Sequence, residues 1–290
     1  MEVTQDNRFD IAPETKLWRY MSFAKFVALL HQKELVLTPI YMFDDPYEGA
    51  GGQEKNRGKF AKALVDYTWD KVAPQIKGLQ VTKEDLQKYI SGYIKVVSDM
   101  GKSNRYFTFV NCWHENEVES EAMWKLYTAG QPDGIAIQTT YGALKKAIDD
   151  SEVQIGRVTY NNYETAFLPG DSYFWYKRKS FEHEREVRVM IEATDEQRKE
   201  FTKIYEKNGF TLTHPVDLDM LIQNVYVSPY ASDWVKEVVE EELKSCGLSK
   251  PVLSSKMNDD ALFFPSRKQL KELLRQIKED AERNRTLAVE

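Results

Sequence analysis

Hydrophobic and polar positions alternate along residues 181–191 (FEHEREVRVMI) with the period of an extended strand. Val187, Val189 and Ile191 face one way, while Glu184, Glu186 and Arg188 face the other. Extended runs are also read at 16–20 (KLWRY), 35–37 (LVL, stopped by Pro39), 106–112 (YFTFVNC), 134–140 (GIAIQTT), 153–160, 224–228 and 252–256. A helical period follows Ser22, with Phe23, Phe26, Val27 and Leu30 on one stripe. Further helices are predicted over 59–72 and over 82–100, where Leu86, Ile90, Tyr93, Ile94 and Val97 follow a Thr82 cap. Shorter ones are read at 119–128, 142–149 and 194–208, and a longer one at 232–246 closes on Gly247. Ser266 and Gln269 form a capping box ahead of Leu270, Leu273, Leu274 and Ile277. Strands interleaved with helices, with no internal repeat or linker, predict a single mixed α+β domain over 1–290 with a central, largely antiparallel sheet. A helical insertion at about 55–103 and a polar C-terminal helix at about 266–283 complete it.

Composition narrows the function classes. The 290 residues are 42% hydrophobic and 30% charged, which suits an ordinary globular protein able to bury a sizeable core. A net charge of −6 argues against a general nucleic-acid binder. The conspicuous local exception is the basic run Lys177, Arg178 and Lys179 before the 181–191 strand. Cys112 and Cys246 form no CxxC pair, and His31, His114, His183 and His214 show no metal-ligand spacing. The first residues lack the apolar core of a signal peptide, and no apolar run approaches the roughly 20 residues of a membrane span. A cytoplasmic, reduced protein with no membrane segment is expected. The fingerprints of Rossmann enzymes, P-loop NTPases, zincins and α/β-hydrolases are missing.

Four places concentrate unusual residues. Arg19 and Tyr20 end the first strand, where an arginine can clamp a phosphate or simply pair on the surface. Asp44, Asp45 and Glu48 sit in the loop MFDDPYEGAGG, whose oxygens can hold Mg²⁺ or a ribose hydroxyl, or serve as turn formers. The segment 111–127 places His114 in a polar loop, Glu119 and Ser120 at a helix start, and Trp124 and Tyr127 on that helix. Ser120 is a natural cap and Trp124 a natural core residue. In the fourth place, Glu182, Glu184 and Glu186 share a face if the strand begins early enough, with Lys179, Arg185 and Arg188 as possible neutralisers. Two carboxylates beside an arginine are either solvated, paired, or in use.

Together these motifs resemble a bacterial family catalogued only as domain of unknown function number 2971, with R-Y, F-N-D-P-x-E, C-F-S, M-W-x-x-Y and E-x-E-h-R in that order. The matching residues are Leu17-Trp18-Arg19-Tyr20, the stretch from Phe43 to Glu48, Asn111-Cys112-Trp113, Met123-Trp124 with Tyr127, and the stretch from Phe181 to Arg188. Asp44 replaces the usual Asn, and Trp113-His114 stand where Phe-Ser is common. The layout is more loosely similar to mono-ADP-ribosyltransferases, which carry an arginine on the first strand, Ser-Thr-Ser in the middle and [QE]-x-E late. Thr139-Thr140 is the nearest middle element, and no Ser-Thr-Ser exists.

The second resemblance implies NAD⁺ as substrate and no metal. Glu186 would hold the ribose hydroxyl, Glu184 would orient the acceptor, and Arg19 would clamp the pyrophosphate or ribose. Tyr20, Trp124, Tyr127 and Thr139 would line the cofactor. Breaking the nicotinamide–ribose bond develops an oxocarbenium-like charge that a fixed carboxylate stabilises. The expected function is an ADP-ribosyltransferase or NAD glycohydrolase, acting on a protein or nucleic-acid acceptor as a toxin or in phage defence. Two rivals stay open: a metal-dependent nuclease or phosphohydrolase using Asp44, Asp45, Glu48 and Glu186, and a non-catalytic ligand-binding or interaction module.

Overall fold

The structure is a computed structural model, and it describes residues 7–76, 80–164, 170–205, 211–259 and 261–287. The end of the helix expected over 194–208 lies outside these residues. Two compact units are present, Met1–Ser255 and Lys256–Glu290. The first is a mixed α+β fold whose main sheet is largely antiparallel.

In chain order the strands are β1 (Lys16–Ser22), β2 (Glu34–Pro39), β3 (Thr108–Glu115), β4 (Gly134–Thr140), β5 (Gln154–Arg157) and β6 (Thr159–Asn161). They continue with β7 (Tyr176–Arg178), β8 (Glu186–Glu192), β9 (Leu212–Pro215), β10 (Asn224–Val227) and β11 (Val252–Ser254). The helices are α1 (Phe23–Gln32), α2 (Arg57–Tyr67), α3 (Lys83–Asn104), α4 (Glu121–Thr128), α5 (Tyr141–Ile148), α6 (Asp195–Tyr205), α7 (Leu218–Leu221), α8 (Asp233–Ser245) and α9 (Arg267–Leu287). Across the main sheet the order is β11-β10-β4-β1-β3-β2-β9, and β8 lies between β3 and β5. Within it β10 and β11 run parallel; the other pairs are antiparallel.

Alternation decides the two faces. Leu17 and Met21 of β1, Phe109 and Trp113 of β3, Ile135 and Ile137 of β4, and Val187 and Val189 of β8 build the large core under α1, α5 and α8. The opposite face carries two smaller clusters. Trp18, Tyr20 and Ala136 pack with Met123 and Trp124 of α4, while Val110 and Met190 pack with Ile40, Phe174 and Trp175. On β3 and β8, the residues between those clusters on the same face are Cys112, His114, Glu186 and Arg188. Here the sheet carries charge in place of apolar side chains.

The sheet also forks here. One edge of β3 pairs with β1 only at Leu17↔Glu115 and Trp18↔His114, and with β2 only at Thr38↔Val110 and Pro39↔Phe109. Between these contacts side chains replace the ladder. Arg19 Nη1 donates to the Cys112 carbonyl (2.7 Å), and Asn111 Nδ2 donates to the Val36 carbonyl (2.8 Å).

Several sequence expectations change. Residues 179–184 are a 3₁₀ helix and β8 begins only at Glu186, so Glu182 and Glu184 are not on the strand. Arg185 joins the two in the left-handed region (φ 41°). His114 lies on β3, which runs on to Glu115. The run at 153–160 breaks at Val158 into β5 and β6, and β9 and α7 went unread because both are short. The caps at Ser22, Thr82 and Ser120 form, each side chain accepting a backbone N–H from three residues on. In the second unit, Ser266 and Gln269 make the expected reciprocal cap of α9 (2.8 and 3.3 Å).

Candidate functional site

Glu186 anchors the charged strip. Its carboxylate accepts from Arg188 Nε (2.5 Å) and Nη2 (3.2 Å), two residues on along the same strand face, and from Lys177 Nζ (3.2 Å). Arg188 is fully buried, so it must find acceptors in the protein. Its Nη2 also meets Glu48 (2.8 Å), and Nη1 donates to the Phe174 carbonyl (2.7 Å). Lys177, on β7, lies 3.2 Å from Glu48 and 2.5 Å from Glu184. Three carboxylates therefore share two cations.

The left-handed turn at Arg185 makes this sharing possible. His114 Nδ1 donates to the Glu184 carbonyl (2.6 Å), and the Glu115 N–H donates to the Arg185 carbonyl (2.9 Å). These two bonds from β3 fix the bend, so Glu184 reaches the lysine that Glu186 also contacts although only Glu186 is on the strand. The Tyr160 hydroxyl accepts from the Glu186 N–H (2.7 Å). Gly49 holds the acidic loop in place at φ 71°, where an added Cβ would approach the Phe174 ring to 2.7 Å.

Burial and charge separate the two glutamates. Burial alone would raise Glu186, but Arg188 and Lys177 outweigh it and hold the carboxyl at about 2. Burial raises Glu184, and the single lysine offsets this only in part. Cys112, beside Glu186, is pushed well up by burial and by that negative charge, so it stays a thiol. Burial also raises the Tyr127 hydroxyl, as do the charges of Glu184 and Glu186. Burial lowers Arg19, which senses both Cys112 and Tyr127. Arg19 senses Cys112 and Tyr127, Cys112 senses Glu186, and Tyr127 senses both glutamates, so Cys112 and Tyr127 link the arginine to the acids. An open pocket of about 390 Å³, lined by Glu115, Arg157, Tyr160, Glu182, Arg185 and Glu186, adjoins the acids.

The chain is similar to three solved structures of Thermus sp. 2.9 DarT. The complex with carba-NAD⁺ has a TM-score of 0.36 at 9% identity, covering 84% of this chain and 97% of that one. The complex with NAD⁺ gives 0.36 at 9%, covering 85% and 98%. The complex with ADP-ribosylated ssDNA gives 0.37 at 10%, covering 85% and 96%. The similarity is distant. No protein-family profile matches the chain, and no curated protein matches it.

Among the expected site residues, Arg19, Tyr127, Glu184, Glu186, Arg188 and Glu48 come together. Arg19 is half-buried, donates to a backbone carbonyl, and has no carboxylate partner among the described residues. Asp45 is at the margin, held by both Nε and Nη2 of Arg178 (3.1 and 2.9 Å), while Asp44 is exposed. With Asp45, Glu48 and Glu186 all opposed by arginine or lysine, the acidic loop offers a metal ion no uncommitted pair of carboxylates.

Other expectations are corrected by burial. Trp124 is fully buried and its indole N–H goes to Glu119 (3.0 Å), so it has no face for a ligand. Thr139 is fully buried beside Leu17 on the large-core side. The Tyr20 hydroxyl accepts from the Ser120 N–H (2.9 Å), which makes Tyr20, Glu119 and Ser120 supports of α4. His114 is buried and positions Glu184. Lys179 is exposed, whereas Lys177, read only as part of a basic run, is the buried member.

The network makes stability depend on pH. The folded value of Glu186, about 2, lies below its ordinary 4.5, so its contribution is complete above about pH 4.5 and is lost as pH falls toward 2. The raised Glu184 acts in the opposite sense, favouring the fold as it takes up a proton. Melting curves between pH 7 and 2 are expected to show wild type losing more stability below pH 4.5 than Glu186→Gln does.

Proposed function

We propose that this protein consumes NAD⁺ as an ADP-ribosyltransferase or NAD glycohydrolase. The observation that carries the reading is Arg19 at the sheet fork, a half-buried arginine with no carboxylate partner among the described residues, linked through Tyr127 to two glutamates of separated acidity. Separated carboxylates suit divided labour. Glu186, ionised and immobile, supplies the negative charge that favours an oxocarbenium-like ribose. Glu184, less enclosed and more readily protonated, faces the ribose and takes the proton of the incoming nucleophile. Arg19 pairs with the pyrophosphate, and Tyr127 is the aromatic wall. The C1′–N bond breaks with its electrons leaving on nicotinamide, and the nucleophile's oxygen or nitrogen takes C1′. Arg19 is the cation for the substrate's phosphates, and no step of this scheme is assigned to a metal.

The acceptor in this reading is water or a macromolecule, either protein or nucleic acid, and the setting is a cytoplasmic bacterial toxin or phage-defence effector. No helix among the described residues is long and apolar enough to cross a membrane. NAD⁺ is expected to raise the melting temperature of wild type through linkage and to raise that of Arg19→Met much less. A wild-type melting temperature that millimolar NAD⁺ leaves unmoved would count against the proposal.

A second reading has its own support. The closed set of contacts among Glu48, Lys177, Glu186 and Arg188 is what a structural ion network in a non-catalytic binding module requires. NAD⁺ binding without nicotinamide release is its signature.

A further inference from the structure

On the large-core side of the sheet, away from the charged strip, α1 and α8 bring a histidine, a glutamate and a cysteine together. His31 lies in the last turn of α1. Glu242 and Cys246, four residues apart, share a face at the end of α8. One ligand atom from each lies within 4.8 Å of the others, and His31 Nε2 is 2.7 Å from Glu242 Oε1. We infer that these three side chains form a binding site for a borderline divalent transition ion of the Zn²⁺ class.

Four features support the assignment independently of the proposed reaction. The donor set of imidazole nitrogen, carboxylate oxygen and thiolate sulfur suits Zn²⁺ and Co²⁺, and the thiolate disfavours the hard ions Mg²⁺ and Ca²⁺. Bonds of about 2.0–2.3 Å in a tetrahedron separate donors by roughly 3.3–3.8 Å, so modest side-chain rotations bring these atoms into place. The frame is firm, since Phe26, Leu29 and Leu30 of α1 and Val235, Val239 and Leu243 of α8 are buried in the same core. Both helices also point their C-terminal ends at the site, and their partial negative charge favours a cation. Neither the periodicity nor the histidine spacing reveals this arrangement, because its residues come from helices more than two hundred positions apart.

Three protein ligands leave a fourth position for water. The ion clamps two helices at the edge of the core. Binding replaces the His31–Glu242 hydrogen bond with a bond from each side chain to the ion.

Titration with Co²⁺ reads the site directly. Wild type is expected to develop a near-ultraviolet thiolate-to-cobalt charge-transfer band, and Zn²⁺ to abolish the band and raise the melting temperature. Cys246→Ser, which leaves the His31–Glu242 pair in place, is expected to lose both responses, while Cys112→Ser keeps them. Mg²⁺ should produce neither. Absence of the band in wild type, or the same band and Zn²⁺-dependent rise in Cys246→Ser, would overturn the site and leave an exposed histidine–glutamate ion pair. NAD⁺ consumption has no bearing on either result.

Discussion

Arg188→Ala is expected to destabilise the fold by about 3–5 kcal/mol at neutral pH, as removal of one partner from a buried ion pair does. Arg188 is fully buried and faces Glu186 and Glu48 at 2.5 and 2.8 Å. Without it, Lys177 alone would have to neutralise three glutamates, two of them almost wholly enclosed. Arg188→Lys should recover little, because an ammonium cannot reproduce a fork that meets two carboxylates and the Phe174 carbonyl together. The double variant Glu186→Gln/Arg188→Met should be less destabilised than the sum of its parts, since each change removes the charge that the other leaves exposed to an apolar interior. Denaturant unfolding of the four proteins measures this coupling, and strict additivity would mean that the two side chains do not act as a pair.

Glu184→Gln is the second large effect, and it separates chemistry from stability. It is expected to lower nicotinamide release from NAD⁺ about 10²–10³-fold, within the range of a positioned general base. Stability should hold or rise, because burial already works against the Glu184 charge and its partner Lys177 keeps Glu48 and Glu186. Loss of release together with loss of the fold would assign Glu184 to the structural network.

Where local pattern sufficed, the sequence was informative. The alternation of Val187 and Val189 against Glu186 and Arg188 gave the two faces of β8, and Ser22, Thr82 and Ser120 marked helix starts by their capping chemistry. It was blind where a distant segment decides an environment. Lys177 reads as one of three consecutive basic residues, and only the loop carrying Glu48 shows why it is the buried one. Nothing in Glu-x-Glu signals that Arg185 turns left-handed between the two carboxylates, because bonds from His114 and Glu115 on another strand impose that turn. Trp124 and Thr139 have the right chemistry to line a cofactor, yet periodicity cannot distinguish an aromatic on a cleft wall from one packed under a helix. Arg19 was legible as an arginine on the first strand, though that strand runs past it to Ser22. That it has no carboxylate partner among the described residues became visible only with the fork in the sheet.

The fork, its unopposed arginine and the divided pair of glutamates amount to one claim, that this protein breaks the nicotinamide–ribose bond. Nicotinamide production by purified wild-type protein incubated with NAD⁺ tests that claim most directly, with Glu184→Gln and Arg19→Met alongside. Wild type should release nicotinamide steadily, alone or with a nucleic-acid or protein acceptor, and both variants should lose most of that release. Absence of release by wild type under every acceptor condition, from a protein that is folded and binds NAD⁺, would contradict that claim and leave the charged strip as the framework of a binding module.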